Sequence, residues 1–449
     1  MQTNLKKLCF GGGALLAFAI ACGTATTTQQ LAKPKPKAKP NMGDFIGLNT
    51  HTVQFKTDLY RPVTRSLRNY HPMEWDFNDS DPSKHREFPV THNQINWMDL
   101  YGKWKKEGFT IDASAQFESM DPDKWKDIPK DAYQYGESFA KYFGSTGQNV
   151  VETIEVGNEP MKFSEAQYRS MFENMAKGVR KGDPKMLIST CAVALGKADQ
   201  WSKDVEILKG LEPLYDILNV HSYAFSEGWP TWKRSFPEDP KINYLKQIQG
   251  IIDWRDKNAP GKQVWVTEFG WDSSTKKSTA TGEEGKWVGN SDTEQARYIV
   301  RSYLVFSGME VDRAHLYWFD DNDAPSLHGS SGLTRHFQPK PSYHSTAHLL
   351  KTLEGYRFSR EVVKRPGEVY AYEYVPVTGS GDRIWAVWSP TGSDRKAEVT
   401  LPSPKGKVVR AERMPLKEGA PEKVSTTAVA GGGVKLQVDE SPTYLWVRL

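Results

Sequence analysis

Cysteine is scarce in this 449-residue sequence, which contains only Cys9, Cys22 and Cys191. Three cysteines so placed provide neither a disulfide framework nor a cysteine-based metal site. We predict that Cys191, inside a predicted strand, is a small buried core residue. Glycine-rich phosphate loops are also absent, because the chain has neither a G-x-G-x-x-G nor a Walker motif. This absence argues against a doubly wound dinucleotide-binding sheet.

An excess of positive charge is missing from most of the chain. The formal net charge is +4, but the first 42 residues carry six lysines and no acidic residue, which leaves 53 basic against 55 acidic residues. A nearly neutral body lacks the electrostatic footprint of a nucleic-acid-binding protein, so we expect no nucleic-acid partner. With 25% charged and 12% aromatic residues, the composition is that of a globular chain, although its fifteen tryptophans are unusually many.

The N-terminal segment has the pattern of a secretory signal. Lys6 and Lys7 precede an apolar run, 8–21, that is too short to span a membrane, which predicts a signal peptide over 1–21 and export. Residues 19–22 resemble a bacterial lipobox, which implies lipidation of Cys22 and an outer-membrane or cell-surface location, with this lipid as the only membrane anchor. A simple cleaved signal, giving a periplasmic or secreted protein, is the alternative. The Lys-Pro-rich stretch 22–42 predicts a flexible tether.

Predicted strands and helices alternate regularly through the next part of the chain. Two helix starts, at Ser164 and Ser291, match the capping box, with Gln167 and Glu294 three residues later. The repeated order of strand and helix predicts a (β/α)8 TIM barrel over 43–354. After Gly355, short alternating segments without helices predict a small antiparallel β-sandwich over 355–449. The eight predicted barrel strands cover 45–49, 63–69, 110–117, 150–156, 186–193, 216–223, 263–269 and 313–319.

Polar side chains gather at the ends of these predicted strands, where barrel active sites lie. The sequence Gly157-Asn158-Glu159 follows the fourth strand, and Glu268 ends the seventh. Two carboxyl groups could therefore converge. Such a pair suits glycosidic cleavage, because one group protonates the leaving oxygen while the other stabilises or captures the oxocarbenium-like centre.

On these motifs the chain resembles the retaining glycoside hydrolases of clan A over about residues 44–353, and its C-terminal part is similar to that of several such families, including family 39. The resemblance implies that Glu159 is the acid/base, that Glu268 is the nucleophile and that Asn158 contacts the sugar 2-hydroxyl. The resemblance also implies supporting roles. His221 and Tyr223 match the sixth-strand His-x-Tyr that supports the nucleophile, and Trp318 matches the tryptophan that forms the floor of the cleavage subsite. Arg68 matches the arginine that hydrogen-bonds the nucleophile, with Arg65 as a competitor.

Loops after the predicted strands hold further candidates for sugar contacts. Asp320, after the eighth strand, is a candidate polar contact; the acidic run 320–323 lacks the glycine and terminal glutamate of an EF-hand, so we expect no metal there. Sugar rings pack on indole, and pocket walls are often aromatic. Sugar contact and plain packing both stay open for the loop tryptophans Trp75, Trp229, Trp232 and Trp271, whereas Trp97, Trp104 and Trp254 fall in helical patterns and are predicted to be core.

The sequence thus predicts a retaining glycoside hydrolase that acts on a polysaccharide or oligosaccharide by double displacement, in endo fashion. Retention requires carboxyl groups about 5 to 5.5 Å apart. No cofactor or metal is expected. An exo-acting β-glycosidase and a non-catalytic surface glycan-binding lipoprotein are the alternatives, since a fold does not by itself imply a function.

Overall fold

The computed structural model describes residues 38–196 and 200–449. The predicted signal peptide, Cys22 and the tether as far as residue 37 lie outside the described residues. The Asn41 side chain accepts hydrogen bonds from the backbone N–H groups of Gly43 at 3.1 Å and Gly355 at 2.9 Å, and the predicted domain bounds stay predictions. Within the described part of the chain, no helix combines the length and the apolar character that a membrane crossing requires.

Eight parallel strands close into a barrel, which confirms the predicted (β/α)8 core. Their bounds are β1 (Ile46–Thr50), β2 (Ser66–Pro72), β3 (Thr110–Gln116), β4 (Thr153–Val156), β5 (Leu187–Ala194), β6 (Ile217–His221), β7 (Gln263–Phe269) and β8 (Arg313–Leu316). The strands pair in the order β4-β3-β2-β1-β8-β7-β6-β5, and β5 pairs back to β4. Polar residues at the carboxyl ends of all eight strands therefore meet around one rim.

The second strand lies three residues later than predicted. Thr64 belongs to a tight turn, in which its hydroxyl accepts a hydrogen bond from the backbone N–H of Ser66 at 3.0 Å and donates to the carbonyl of Ile46 at 2.7 Å. This turn delays the start of pairing to Ser66. As a result Arg68 lies in the middle of β2, paired with Asn49 on one side, and not near the end of the strand.

The helices surround the barrel, and both predicted capping boxes are present. Ser164 caps the helix that follows the Glu159 loop, and Ser291 caps the helix that follows β7. The helices are α1 (Met42–Phe45), α2 (Thr57–Tyr60), α3 (Tyr101–Lys106), α4 (Ile128–Phe143), α5 (Glu165–Gly182), α6 (Tyr244–Asn258), α7 (Asp292–Gly308) and α8 (Pro341–Leu353). Short 3-10 turns span Met73–Asp76, Asn78–Ser80, Trp97–Asp99, Phe117–Ser119, Pro122–Lys124, Val205–Leu208, Glu212–Leu214, Gly282–Lys286 and Ala430–Gly432, and two-residue strands lie at Lys203–Asp204, Asp320–Asp321, Thr334–Arg335 and Gln338–Pro339.

Two antiparallel sheets follow the barrel. Their strands are β9 (Tyr356–Arg365), β10 (Val369–Pro376), β11 (Arg383–Trp388), β12 (Ala397–Leu401), β13 (Lys407–Arg413), β14 (Glu422–Lys423), β15 (Thr426–Ala428), β16 (Val434–Val438) and β17 (Thr443–Arg448). One sheet has the order β9-β10-β11-β17-β13-β14 and the other β12-β16-β15. Val387 and Leu436, from different sheets, share one buried apolar cluster. The sandwich, as a separate domain, stays a prediction.

The C-terminal sheets are joined to the barrel by hydrogen bonds to a buried ion pair of the barrel. Arg301 of α7 and Glu238, in the segment after β6, form this pair with both side chains almost fully buried. Trp388, at the end of β11, donates its indole N–H to Glu238 at 2.7 Å, and Arg301 also donates to the carbonyl of Thr391 at 2.8 Å. Residues 39–449 thus form one compact unit.

Candidate active site

Two glutamates from different strands face each other at the carboxyl-end rim of the barrel. Glu268 lies near the end of β7, and Glu159 lies in the loop after β4. Oxygens of both carboxyl groups and one ring nitrogen of His221 lie within 4.8 Å of one another. His221, the last residue of β6, places its Nδ1 2.8 Å from Glu159 Oε1 and 3.6 Å from Glu268 Oε2. The sixth strand therefore brings a histidine into contact with both acids.

Glu268 is buried and strongly stabilised as an anion. Tyr70 donates its hydroxyl to Oε1 and Tyr223 donates to Oε2, each at 2.8 Å, and Arg68 donates to Oε1 at 3.1 Å. Burial alone would raise the pKa of Glu268, but the charges of His221 and Arg68, together with the two tyrosine hydroxyls, lower this pKa to about 2. Glu268 is thus ionised throughout the physiological pH range.

Arg68 connects the barrel interior to Glu268 and to Asn158, the neighbour of Glu159 in the chain. Its side chain is fully buried and forms a bidentate pair with Glu155, with donor–acceptor distances of 2.9 and 2.5 Å. It also donates to Asn158 Oδ1 and to Asn49 Oδ1, each at 2.8 Å. The competing residue Arg65 instead pairs with Glu354 outside this network.

The backbone that carries Asn158 and Glu159 is held by Glu118. Glu118 lies in the 3-10 turn after β3, and its Oε1 accepts the backbone N–H groups of Asn158 at 2.5 Å and Glu159 at 3.0 Å. Burial raises the pKa of Glu118 to about 7. The preceding Gly157 has a φ of +83°, and a Cβ there would lie 2.5 Å from the Phe117 ring, so a glycine is required at this turn.

A hollow of about 320 Å³ opens between the two glutamates, and we call it the catalytic hollow. This volume suits a small ligand such as a sugar ring. Burial lowers the pKa of His328, on its wall, to about 4, with a further contribution from Arg234, so this imidazole is neutral at physiological pH. The hollow is lined by Tyr70, Asn158, Glu159, Trp201, Tyr223, Phe225, Glu268, Tyr317, Trp318, Leu327 and His328.

The structure brings most of the predicted site residues together. Asn158, Tyr223 and Trp318 line the catalytic hollow beside the two glutamates. His221 contacts Glu159 more closely than Glu268, whereas Tyr223, two residues after the end of β6, contacts Glu268. Arg68 approaches Glu268 from the barrel interior and does not line the hollow, so it acts on Glu268 and not on a ligand.

Two predicted substrate contacts are corrected. Trp271 is fully buried, packs against Tyr244 and Tyr298 and donates its indole N–H to the carbonyl of Ser235 at 2.8 Å, so it is a core residue. Asp320 is 8% exposed, and its Oδ1 accepts hydrogen bonds from Thr334 Oγ1 and from a backbone N–H, each at 2.7 Å. Its carboxyl group therefore orders the loop after β8 and does not line the hollow.

The predicted core residues are buried as expected. Cys191, Trp97, Trp104 and Trp254 are all buried.

Several residues of the site were not predicted. Tyr70 could have been found, because it follows Arg68 by two residues and strand side chains alternate between faces. No pattern in the sequence indicated that Glu155 pairs with Arg68. Glu118 and His328 lie in segments where no periodic pattern marks a site residue. The other lining residues that were not predicted are Trp201, Phe225, Tyr317 and Leu327.

Glu159, His221 and Glu268 are the only group among the described residues whose ligand atoms lie close enough to share a metal ion. Both oxygens of Glu268 already accept hydrogen bonds, and the guanidinium of Arg68 compensates its charge at 3.1 Å. A dication here would repel that guanidinium at short range. The chemistry of these donors therefore favours a metal-free pair.

Comparison with known proteins finds relatives only at the level of the fold. No family model and no curated protein matches the chain. A family 39 glycoside hydrolase from Bacteroides cellulosilyticus superposes with a TM-score of 0.68 at 17% identity, over 91% of this chain and 81% of that one. CelM2, a bifunctional glucanase-xylanase from a metagenome library, gives 0.61 at 12% identity, over 91% and 97%. An α-L-arabinofuranosidase from Thermotoga maritima gives 0.61 at 13% identity, over 92% and 98%.

Removal of the tyrosine hydroxyls should shift the ionisation of Glu268. Tyr70→Phe and Tyr223→Phe each delete a hydrogen bond to the carboxylate, so the pKa of Glu268 should rise from about 2 toward its ordinary value. An activity that needs this carboxylate falls as the pH falls through that pKa. We expect the acidic limb of kcat/KM, measured on p-nitrophenyl glycosides, to move to higher pH in both variants. Tyr317→Phe is the control, because Tyr317 lines the hollow without such a hydrogen bond; an equal shift in this control would contradict the assignment.

Glu118 should act as a positioning residue with a measurable pH signature. Glu118→Ala leaves two backbone N–H groups without their acceptor and should lower kcat, whereas Glu118→Gln keeps an acceptor oxygen and should retain most of it. Because the pKa of Glu118 is raised to about 7 in the folded protein, its contribution to stability is present at low pH and is lost as the pH rises through 7. The melting temperature of the wild type, relative to Glu118→Gln, should therefore fall between about pH 4.5 and 7. A constant difference would contradict this prediction.

Proposed function

We propose that this protein is a retaining glycoside hydrolase that cleaves a polysaccharide or oligosaccharide. The observation that carries the proposal is the pair Glu159 and Glu268, whose carboxyl oxygens approach within 4.8 Å across one hollow. Inverting enzymes leave about 6.5 to 9.5 Å between the two carboxyl groups to admit a water molecule, so the short separation favours retention. The fold supports the proposal, because the three solved structures compared above are named as enzymes that act on glycosides.

Their different surroundings divide the roles between the two acids. Glu268 is held as an anion by Arg68 and two tyrosines, which suits a nucleophile that attacks the anomeric carbon. Hydrogen bonds to a carboxylate lower its nucleophilicity, but each of these hydrogen bonds also fixes the direction of a carboxylate oxygen of Glu268. Glu159 is more exposed, with 25% of its side chain accessible, and it is positioned to protonate the leaving oxygen.

The reaction would proceed in two displacements. In the first, a Glu268 oxygen bonds to the anomeric carbon while the glycosidic bond breaks and the leaving oxygen takes a proton from Glu159. In the second, Glu159 accepts a proton from water, the water oxygen bonds to the anomeric carbon and the ester to Glu268 breaks. Asn158 reaches the wall of the hollow with its side-chain oxygen fixed by Arg68, which suits a contact with the sugar 2-hydroxyl.

Substitution of the two glutamates tests the roles. Glu268→Ala should lower turnover of p-nitrophenyl glycosides on the order of 10⁴-fold or more, since the covalent step is lost. Azide should restore part of this activity and give a glycosyl azide of inverted configuration, because azide then attacks in a single displacement. Glu159→Ala should cost about 10²- to 10⁴-fold on oligosaccharides and much less on p-nitrophenyl glycosides, whose leaving group needs little protonation.

The panel consists of p-nitrophenyl β-xyloside, β-glucoside and α-L-arabinofuranoside, with the corresponding oligosaccharides. Glu173→Ala is the control and should keep full activity, because Glu173 is a partly exposed glutamate on α5 that pairs with Lys177. NMR should show that the anomer released first by the wild type has the configuration of the substrate. Unchanged turnover in either active-site variant, or an inverted product, would refute the proposal. Release of mixed oligosaccharides would indicate endo cleavage, and release of monosaccharides alone would indicate the exo alternative.

We also propose that the protein is exported and carried on the cell surface or outer membrane by a lipid on Cys22. The supporting observation is the sequence of residues 1–22, with its basic start, apolar run and lipobox-like end. Mass spectrometry of the mature N-terminus in the native host should find a diacylglycerol-modified Cys22. A mature chain that begins unmodified at another residue would disprove the anchor.

A further inference from the structure

A series of aromatic rings continues outward from the catalytic hollow. Phe225 lies 5.9 Å from Tyr223 between ring centroids, Trp232 lies 5.4 Å from Phe225, and Trp229 lies 6.5 Å from Trp232. We call Phe225, Trp229 and Trp232 the aromatic ridge. Trp229 is 59% exposed, and it is the one tryptophan among the fifteen, all within the described residues, that is more than half exposed. Exposure of an indole next to other aromatic rings is unusual without a ligand.

The ridge is held in place by its own loop. Ser226 donates its backbone N–H to the carbonyl of Lys233 at 2.9 Å, and Trp232 donates to that of Gly228 at 2.9 Å. Trp232 has a φ of 49°, in the left-handed region that a bulky residue rarely adopts. The guanidinium of Arg234 stacks 5.0 Å from the Phe225 ring. The rings are therefore ordered before any ligand binds, which reduces the entropic cost of binding.

A second hollow shows on which side of the cleaved bond the ridge lies. This hollow, of about 150 Å³, is lined by Glu159, Trp201, Ser202, His221, Tyr223, Phe225, Asn243 and Gln247. It contacts the proposed acid/base, Glu159, but not the proposed nucleophile, Glu268. The acid/base faces the leaving oxygen. A hollow that is lined by the acid/base and not by the nucleophile therefore lies on the leaving-group side of the cleaved bond. Phe225 lines both hollows, and thus joins the ridge to this side.

The second hollow also offers polar atoms for hydroxyl groups. His221, Asn243 and Ser202 are among its lining residues. A surface with aromatic platforms and a few polar atoms is typical of carbohydrate sites, since a sugar ring has apolar C–H faces and a hydroxylated rim.

We propose that the second hollow and the aromatic ridge bind the sugar units of the leaving group, so that the substrate is a chain with two or more units beyond the cleaved bond. This inference rests on the proposed function, because it takes Glu159 as the acid/base. The unit next to the cleaved bond would occupy the second hollow and contact Phe225. The following unit would stack on Trp232 and Trp229.

Kinetics on short and long substrates tests the ridge. Trp229→Ala and Trp232→Ala should each lower kcat/KM for xylohexaose, cellohexaose or α-1,5-arabinohexaose, whichever the wild type cleaves, about 3- to 10-fold more than for the p-nitrophenyl glycoside of the same sugar. Trp446→Ala, a half-buried tryptophan on β17, is the matched control and should leave the ratio of the two kcat/KM values unchanged. Equal losses on both substrates, or none, would overturn the inference.

Transfer of the glycosyl group to an added sugar acceptor tests whether the ridge lies on the leaving-group side of the cleaved bond. A second sugar chain that replaces water must bind where the leaving group was, and its hydroxyl then bonds to the anomeric carbon while Glu159 accepts the proton and the bond to Glu268 breaks. With a p-nitrophenyl glycoside as donor and the matching trisaccharide as acceptor, Trp229→Ala should lower the ratio of transfer to hydrolysis. An unchanged ratio would place the ridge on the other side of the bond and refute the assignment.

Direct binding separates failure of this inference from failure of the proposed function. If the wild type cleaves none of the panel, the function fails, and intrinsic tryptophan fluorescence still reports on the ridge. Titration of Glu268→Gln with each hexasaccharide should quench or shift the emission, and the dissociation constant obtained from this titration should be about 3- to 10-fold higher in Glu268→Gln/Trp229→Ala. An unchanged dissociation constant in the double variant would overturn the inference whether or not the protein is an enzyme.

Discussion

The site depends on one buried cation. Arg68 is enclosed by the barrel, and a guanidinium taken out of water is stable only if its charge and its N–H groups are matched. Glu155 compensates the charge with a bidentate ion pair, and Glu268, Asn49 and Asn158 accept further hydrogen bonds from the guanidinium. Since these partners come from four other barrel elements, the demand to pair one charge fixes the relative positions of both glutamate-bearing segments.

A single polar network thus gives two glutamates different characters. The donors around Glu268 converge on its two oxygens from β2 and from the segment after β6, and they keep it ionised in spite of its burial. The backbone of Glu159 is held by Glu118, and its side chain lines both hollows. In the proposed double displacement, the first arrangement suits the nucleophile and the second suits the acid/base.

The sequence predicted the positions of residues at the ends of strands well. It predicted less well the features that depend on local turns and on the packing of side chains. The convergence of Glu159 and Glu268 was predictable because Glu159 follows one recognisable strand, Glu268 lies near the end of another, and the carboxyl ends of barrel strands meet at one face. The start of β2 was missed by three residues, since the hydroxyl of Thr64 forms a local turn that apolar patterning does not reveal. Trp271 was ambiguous because indole is equally suited to a core and to a sugar surface, and only the neighbours Tyr244 and Tyr298 decide between them.

The ion pair between Glu238 and Arg301 affects whether the barrel can be separated from the C-terminal sheets. The segment after β6 carries both the aromatic ridge and Glu238, and Glu238 is satisfied in part by the indole of Trp388 from the C-terminal sheets. Cutting the chain where the barrel ends would remove this donor and expose a charged pair that was desolvated by the sheets. The barrel and the sheets therefore share a buried polar contact, so the barrel alone should be less stable than the whole chain.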